Sequence, residues 1–295
     1  MNSFRVTVCL LVIILLQTRA FPQERRAAVD SQVTDEPDST ATALIMDEGT
    51  KNSHVMDFLS YITDVYGPRL TWSPGFKRAA GWVKSKLDSL GLSAPHLESW
   101  EPLGRSWEVR HYSANVIGSQ TFPLLSYPKA WSPGIDAKGD VIVLDARTDS
   151  ALDTYVGKIR NKFVLLGGER KVELNTDPEI SRYTDTQLLD LANADVQRSR
   201  RRRRRFEDSP DARKRAALEY RKLEMINHEG ALAVLTAAGF DGGSMMVLSS
   251  SVPTPPDTPF ANRISAWNPR SPRILPQIAV GVEHYNRMVR MLQKG

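Results

Sequence analysis

The residues of this chain best suited to proton transfer or metal binding are five histidines, His54, His96, His111, His228 and His284, and they are scattered rather than clustered. His228-Glu229 begins like the helical zinc-protease motif, in which two imidazoles one turn apart hold a metal and the glutamate acts as base. Leu232 occupies the position four residues on, so the second imidazole is missing and the motif fails. His96 with Glu98, and Glu108 with His111, could face a common metal across paired strands, although polar residues on a strand surface account for them as well. Asp145, Asp149 and Asp153 have the spacing of one helix face, which alone carries no chemistry. A serine nucleophile has no signal, because no Gly-x-Ser-x-Gly elbow occurs. The stretch from Gly239 to Gly243 could cradle an anion, but without a phosphate-loop lysine or a dinucleotide fingerprint it is more simply a turn. Read from residues to chemistry, the sequence assigns no catalytic, cofactor-binding or metal-ligating residue.

Charge narrows the classes further. The formal net charge is +5, yet Arg198 and Arg200 to Arg205 supply seven of the positive charges, so the remainder is slightly acidic. A block of like charges repels itself and stays solvated. The acids Glu207, Asp208 and Asp211 follow at once, and no aromatic residue interleaves with the arginines to stack bases. Nucleic acid is therefore not an expected partner. Binding of the run to an anionic lipid or polysaccharide is a weaker reading, one that salt would abolish.

The first 20 residues carry Arg5, an apolar stretch from Val6 to Leu16, and Thr18-Arg19-Ala20 ahead of Phe21, the pattern of a secretory signal peptide. At 1.5 Å per residue this stretch covers roughly half of a ~30 Å hydrocarbon core, too little for an anchor, so no stable membrane insertion is expected after cleavage. The single cysteine, Cys9, lies inside that stretch, and no Asn-x-Ser/Thr sequon occurs. A secreted or periplasmic protein of bacterial type is expected, with no disulfide framework. Residues 21–45, rich in Asp, Glu, Ser, Thr and Ala, are expected to form a flexible leader.

Two helices come next. Val55, Phe58, Leu59, Ile62, Val65 and Tyr66 make a helical stripe that opens at Ser53 and stops at Gly67-Pro68. Ser73 as cap and Pro74 at the first helical position open a second stripe of Phe76, Ala79, Ala80, Val83, Leu87 and Leu90, which Gly91 closes. Strands are expected at His96–Trp100, Trp107–Ile117, Val141–Leu144, Phe163–Leu166, Ala231–Leu235, Met245–Leu248 and Ile278–Val282, with a terminal helix carrying Tyr285, Met288, Val289 and Leu292. Residues 177–230 read as a polar, helix-forming excursion around the arginines, and 251–276, with seven prolines, as a long surface excursion without a regular element. The fold class is α/β.

Several separated blocks then resemble one family. Gly67-Pro68-Arg69-Leu70-Thr71-Trp72-Ser73-Pro74-Gly75-Phe76-Lys77-Arg78-Ala79-Ala80 is similar to the opening of exported zinc-dependent peptidases related to glutamate carboxypeptidase and plasma carboxypeptidase Q. The resemblance continues through His96-Leu97-Glu98, Gly104-Arg105-Ser106-Trp107, Tyr127-Pro128-Lys129-Ala130-Trp131, Tyr183-Thr184-Asp185 and Glu283-His284-Tyr285-Asn286-Arg287, in order, over nearly all of residues 50–295. Trp72 stands where the family usually has glycine.

The resemblance implies two N-terminal helices of the peptidase fold over 46–105 and an α+β protease-associated domain over 106–295, with the arginine-rich excursion at 177–230 inside it. It implies two zinc ions in the complete enzyme, a peptide substrate, and room for a homodimer. Family metal ligands and the general base lie C-terminal to the inserted domain, so none is carried over to any residue here, and no zinc is expected bound to this chain. The expected function is the N-terminal portion of a di-zinc aminopeptidase or carboxypeptidase. A free-standing, non-catalytic binding module built on the same domain is the alternative.

Overall fold

The computed structural model describes residues 38–99, 104–172, 176, 178, 180–194, 209–239 and 245–295. The signal peptide, most of the leader and the arginine run from Arg198 to Arg205 lie outside the described residues. The chain divides into a unit ending at Phe58 and a larger one from Leu59 to Gly295.

In the smaller unit the flexible leader expected over 21–45 gives way to a helix, α1, at Ser39–Lys51. Its start is fixed by Asp38, whose carboxylate accepts from the backbone N–H groups of Thr40 and Ala41 at 2.9 and 3.1 Å. No residue of α1 is buried.

The first of the two expected helices is not continuous. It runs as α2, Val55–Ser60, and then widens into a π-helical turn at Tyr61–Val65 that Tyr66 closes by donating its N–H to the Tyr61 carbonyl at 3.2 Å. The wider turn sets Tyr61 and Tyr66 against one ring, Trp82, at centroid separations of 5.3 and 5.9 Å. Trp82 belongs to α3, Pro74–Ser89, which begins as the sequence predicts: Ser73 Oγ accepts from Phe76 N–H at 3.0 Å and Pro74 follows the cap. The turn between them holds Trp72 at φ 66°, a left-handed conformation that suits glycine and strains a bulky residue. Its indole N–H is buried with no partner among the described residues. A bulky side chain in this conformation carries a cost that glycine would not.

Five strands form the main sheet. Their order is β3 (Ser126–Pro128), β7 (Gln277–Val280), β6 (Ala233–Ala237), β5 (Phe163–Leu166) and β4 (Val141–Leu144). The last four pair in parallel, and β3 closes the β7 edge antiparallel. A two-residue pairing of β1 (Asn115–Val116) with β2 (Phe122–Pro123) stands apart. Side-chain alternation gives the sheet two apolar faces. Ile142, Leu144, Val164, Leu166 and Val234 meet the short helix α4 (Asp149–Asp153) through Leu152 and the helix α6 (Pro210–Glu229) through Leu218 and Ile226. Leu165, Ala233, Leu235, Ile278 and Val280 meet Tyr285, Met288 and Val289 of α7 (Val282–Lys294). The architecture is therefore a helix-covered mixed sheet, α/β.

Helix α6 lies in the segment read as an excursion at 177–230. It is the crossover joining β5 to its parallel neighbour β6, and it buries Ile226 completely. A capped helix, α5 (Asp185–Ala192), precedes it with no buried residue. Three strand expectations fail. Residues 96–99 form no strand, Trp107–Ile117 retains only Asn115–Val116, and Met245–Leu248 forms none, the one isolated bridge nearby joining Ala130 to Ser249 just after it. Strand composition is present in each, but the pairing that the described backbone offers them is at most two residues long.

Candidate functional site

The residues that the sequence singles out do not converge. His54 pairs with Asp57 at 3.3 Å and His96 with Glu98 at 3.2 Å, each pair well exposed. The segments of Glu98 and His111 are not paired strands, so the metal site suggested across them does not form. Glu108 instead lies 3.9 Å from Arg110. Glu229 has a structural use: its carboxylate accepts the N–H groups of Gly157 at 2.8 Å and Ile159 at 3.3 Å, tying the end of α6 to the turn after α4. Asp149 and Asp153 do share α4, where Arg221 of α6 reaches both, but Asp145 precedes that helix at the end of β4. His284 Nδ1 accepts from Leu125 N–H at 2.8 Å and its ring meets Phe122 edge-on, so it braces the β2–β3 corner. Gly239 is described, and the rest of the turn to Gly243 lies outside the described residues.

Among the described residues no three His, Cys, Asp or Glu side chains stand close enough to hold a metal ion. The donor set that two zinc ions would need, imidazoles and carboxylates converging from several elements, is not assembled at any place among the described residues.

A different group does converge, at the carboxyl ends of the parallel strands, where open α/β sheets characteristically receive ligands. Gly167 and Gly168 end β5. Tyr285 donates its hydroxyl to the Gly167 carbonyl at 2.7 Å, and a Cβ at Gly168 would fall 2.5 Å from Asp145 Oδ2, so a side chain there would push the Asp145 carboxylate aside. Burial, with the Asp145 charge adding to it, pushes the Tyr285 phenol well above its ordinary range.

Beyond the glycines the chain is held by Asn286, which is 5% exposed. Its Oδ1 accepts from Arg170 N–H at 2.8 Å and its Nδ2 donates to the Arg170 carbonyl at 2.7 Å, a two-point amide clamp on one residue's backbone. The Arg170 guanidinium then crosses to β6 and donates to the carbonyls of Ala238 at 2.6 Å and Gly239 at 3.3 Å. One turn along α7, Arg290 pairs with Glu169. These elements enclose an open pocket of about 480 Å³ lined by Glu169, Arg170, Lys171, Val172, Asn286 and Arg290.

None of the pocket residues carried a chemical reading in the sequence. The available signal was Gly167-Gly168 directly after an apolar strand, followed by Glu169-Arg170-Lys171, a charged exit from a parallel strand.

Elsewhere, burial drives the Lys129 ammonium below its ordinary range beside the β3 edge. Nearby, Ser250 Oγ is buried without a partner among the described residues. Burial also raises the Tyr112 phenol, an effect that its hydrogen bond with Ser126 opposes.

No family model matches the chain, and no curated protein matches it. Among solved structures it is similar to a Peptidase M28 precursor from Shewanella amazonensis SB2B, at 16% identity and a TM-score of 0.42, over 86% of this chain and 47% of that one. It is also similar to an aminopeptidase from Aneurinibacillus sp. strain AM-1, at 13% identity and a TM-score of 0.30, over 84% of this chain and 43% of that one. The chain spans less than half the length of both. Among the described residues no helix is long and apolar enough to cross a membrane.

Proposed function

We propose that this chain is the N-terminal portion of an exported di-zinc peptidase, an aminopeptidase or carboxypeptidase acting on a terminal peptide bond, and that it supplies scaffold and cleft wall rather than the metal site. In this reading residues 46–105 are helices of the peptidase fold and residues 106–295 its protease-associated domain. Zinc-activated water would be the nucleophile of the complete enzyme, held by residues outside this chain.

One observation carries the reading: the apolar stripe of the two opening helices is left open. In the larger unit Leu59 is 49%, Val65 64%, Phe76 42% and Leu90 57% exposed, while Ile62, Val83 and Leu87 are half-buried and only Ala79 of the stripe is buried. Each large side chain of this kind contributes about 1.5–3 kcal/mol when it is covered, so the stripe is suited to a surface that the described residues do not supply. In the peptidase reading the catalytic sheet of the complete enzyme would be that surface.

Hydrogen exchange on the 295-residue chain tests the proposal. Amides of α3 should exchange far faster than those of β5 and β6. The purified chain should also fail to hydrolyse aminoacyl and dipeptide substrates with zinc supplied. Sheet-like protection of α3 would favour a self-contained module, and zinc-dependent hydrolysis by this chain alone would overturn the proposal.

A further inference from the structure

The proline-rich segment 251–276 carries two aromatic features that the peptidase reading does not use. The first is a projection. Pro253, Pro255, Pro256 and Pro259 fix φ along this stretch. Thr258 N–H donates to the Pro255 carbonyl at 3.0 Å, Asn262 N–H to the Pro259 carbonyl at 2.8 Å, and Arg263 Nε to the Thr258 carbonyl at 3.3 Å. These bonds close successive turns, and at their tip Phe260 is 87% exposed. An aromatic ring held in water by a built turn has little freedom left to lose when a partner covers it.

The second is a pair of rings. Trp131 and Trp267 lie with centroids 5.2 Å apart and planes at 50°. The Trp131 indole N–H donates to the Arg105 carbonyl at 2.7 Å, and Arg105 N–H donates to the Trp267 carbonyl at 2.6 Å. The Arg105 guanidinium donates to the Asn268 carbonyl at 3.0 Å, and the Trp107 indole N–H to the Ser132 carbonyl at 2.8 Å. Two unusual backbone conformations serve this arrangement. Trp131 has φ 61°, which is costly for a bulky residue, and Gly104 has φ 147° where a Cβ would fall 2.2 Å from the Trp267 carbonyl oxygen. With the Trp131 N–H engaged inside the cluster, that residue has ring face to offer outward. Trp267 is 38% exposed, and Ile264 on the same segment is exposed with it. Leu248, whose carbonyl accepts Ala130 N–H at 3.1 Å, is exposed beside Trp131. Residues 100–103, ahead of Gly104, lie outside the described residues, and none of these contacts involves them.

We propose that this face is a contact between two copies of the chain, with Phe260 of each copy seated on the Trp131–Trp267 pair of the other. One segment carries both the projecting ring and part of its receptor, so a single two-fold rotation makes both contacts at once. That self-complementarity is what an isologous dimer requires. A phenyl ring meeting a fixed indole pair gains from ring geometry as well as from the apolar area covered. The shared surface is small, so the dimer forms reversibly at micromolar concentrations rather than permanently.

The test is sedimentation velocity of the 295-residue chain from about 1 μM to about 1 mM. The parent should pass from monomer to dimer as its concentration rises. Phe260→Ser and Trp267→Ala should each weaken association at least about tenfold. An equimolar mixture of these two variants should regain part of it, because the mixed dimer keeps one Phe260–Trp267 contact where either variant alone has none. Misfolding of one variant cannot produce that recovery. A parent that stays monomeric over the whole range leaves the face to some other partner and overturns the proposal. So does a mixture that associates no more strongly than its components. A dimer kept in Phe260→Ser but lost in Phe76→Ser would place the contact on the opening stripe instead, and overturns it as well. The result does not depend on zinc or peptide hydrolysis, so it stands or falls separately from the peptidase reading.

Discussion

Replacing Asn286 with alanine removes both halves of the clamp on Arg170 at once. The carboxamide makes a 2.8 Å and a 2.7 Å hydrogen bond to a single half-buried residue, and nothing else described here meets that N–H and carbonyl. Two neutral bonds are worth about 1 kcal/mol each in net terms, and a backbone group left without a partner costs about 1–3 kcal/mol, less where water reaches it. We therefore expect Asn286→Ala to lose about 2–4 kcal/mol in urea unfolding at 25 °C. Asn286→Asp refines the test through pH. A protonated carboxyl can accept from Arg170 N–H and donate to its carbonyl, as the amide does, whereas a carboxylate presents a second acceptor to that carbonyl. Its folded-state pKa is then raised above the unfolded value near ~3.9. By linkage, the stabilisation is present below that value and is lost as pH rises through the folded pKa. The variant should approach the parent's stability at about pH 3 and fall away from it toward neutrality. An alanine loss below about 0.5 kcal/mol, or a stability difference for the aspartate that does not change with pH, would refute the clamp.

Other outcomes follow from the same contacts. Leu144→Ala truncates a side chain with no exposure in the core below β4, and a loss of about 2–5 kcal/mol is expected by chemical denaturation. Glu229→Gln replaces one of two accepting oxygens with a donor facing the N–H groups of Gly157 and Ile159, so the melting temperature should drop by several degrees, corresponding to about 1–3 kcal/mol. Tyr285 ionises with more difficulty folded than unfolded, so its contribution holds below the free phenol's pKa of ~10 and is lost as pH climbs past it. Alkaline unfolding should accordingly be shallower in Tyr285→Phe, and an unchanged profile would count against the buried phenol.

How much of this could be read from residues alone depended on the range of the signal. Helix α3 is written locally, in Ser73 as cap, Pro74 at the first position and a stripe of 3.6 period, and it forms where expected. β4, β5 and β7 are short apolar runs after turn residues, legible because strands covered on both faces have few alternatives. The strand expected at His96–Trp100 rests on the same kind of local signal, and its described residues 96–99 form none, since a ladder needs a neighbour that composition does not specify. The π-helical turn at Tyr61–Val65 escaped detection because Trp82, around which it is shaped, lies beyond any helical window. The pocket was the least legible. Arg170, Ala238 and Asn286 meet only when three strand or helix ends are brought together, and no spacing in the chain records that meeting.

Strand β3 has a consequence for the order in which this polypeptide can become itself. Among the described residues Ser126–Pro128 bonds to a single strand, β7, whose residues Gln277–Val280 are made long afterwards. β5, β6 and β7, by contrast, each dock beside the strand synthesised just before them. As the chain emerges, the sheet can therefore grow steadily in one direction from β4, while its earliest strand waits without a home until the latest one arrives. Closing so long a loop is entropically costly and slow. The last stitch in assembly joins the oldest part of the sheet to the newest.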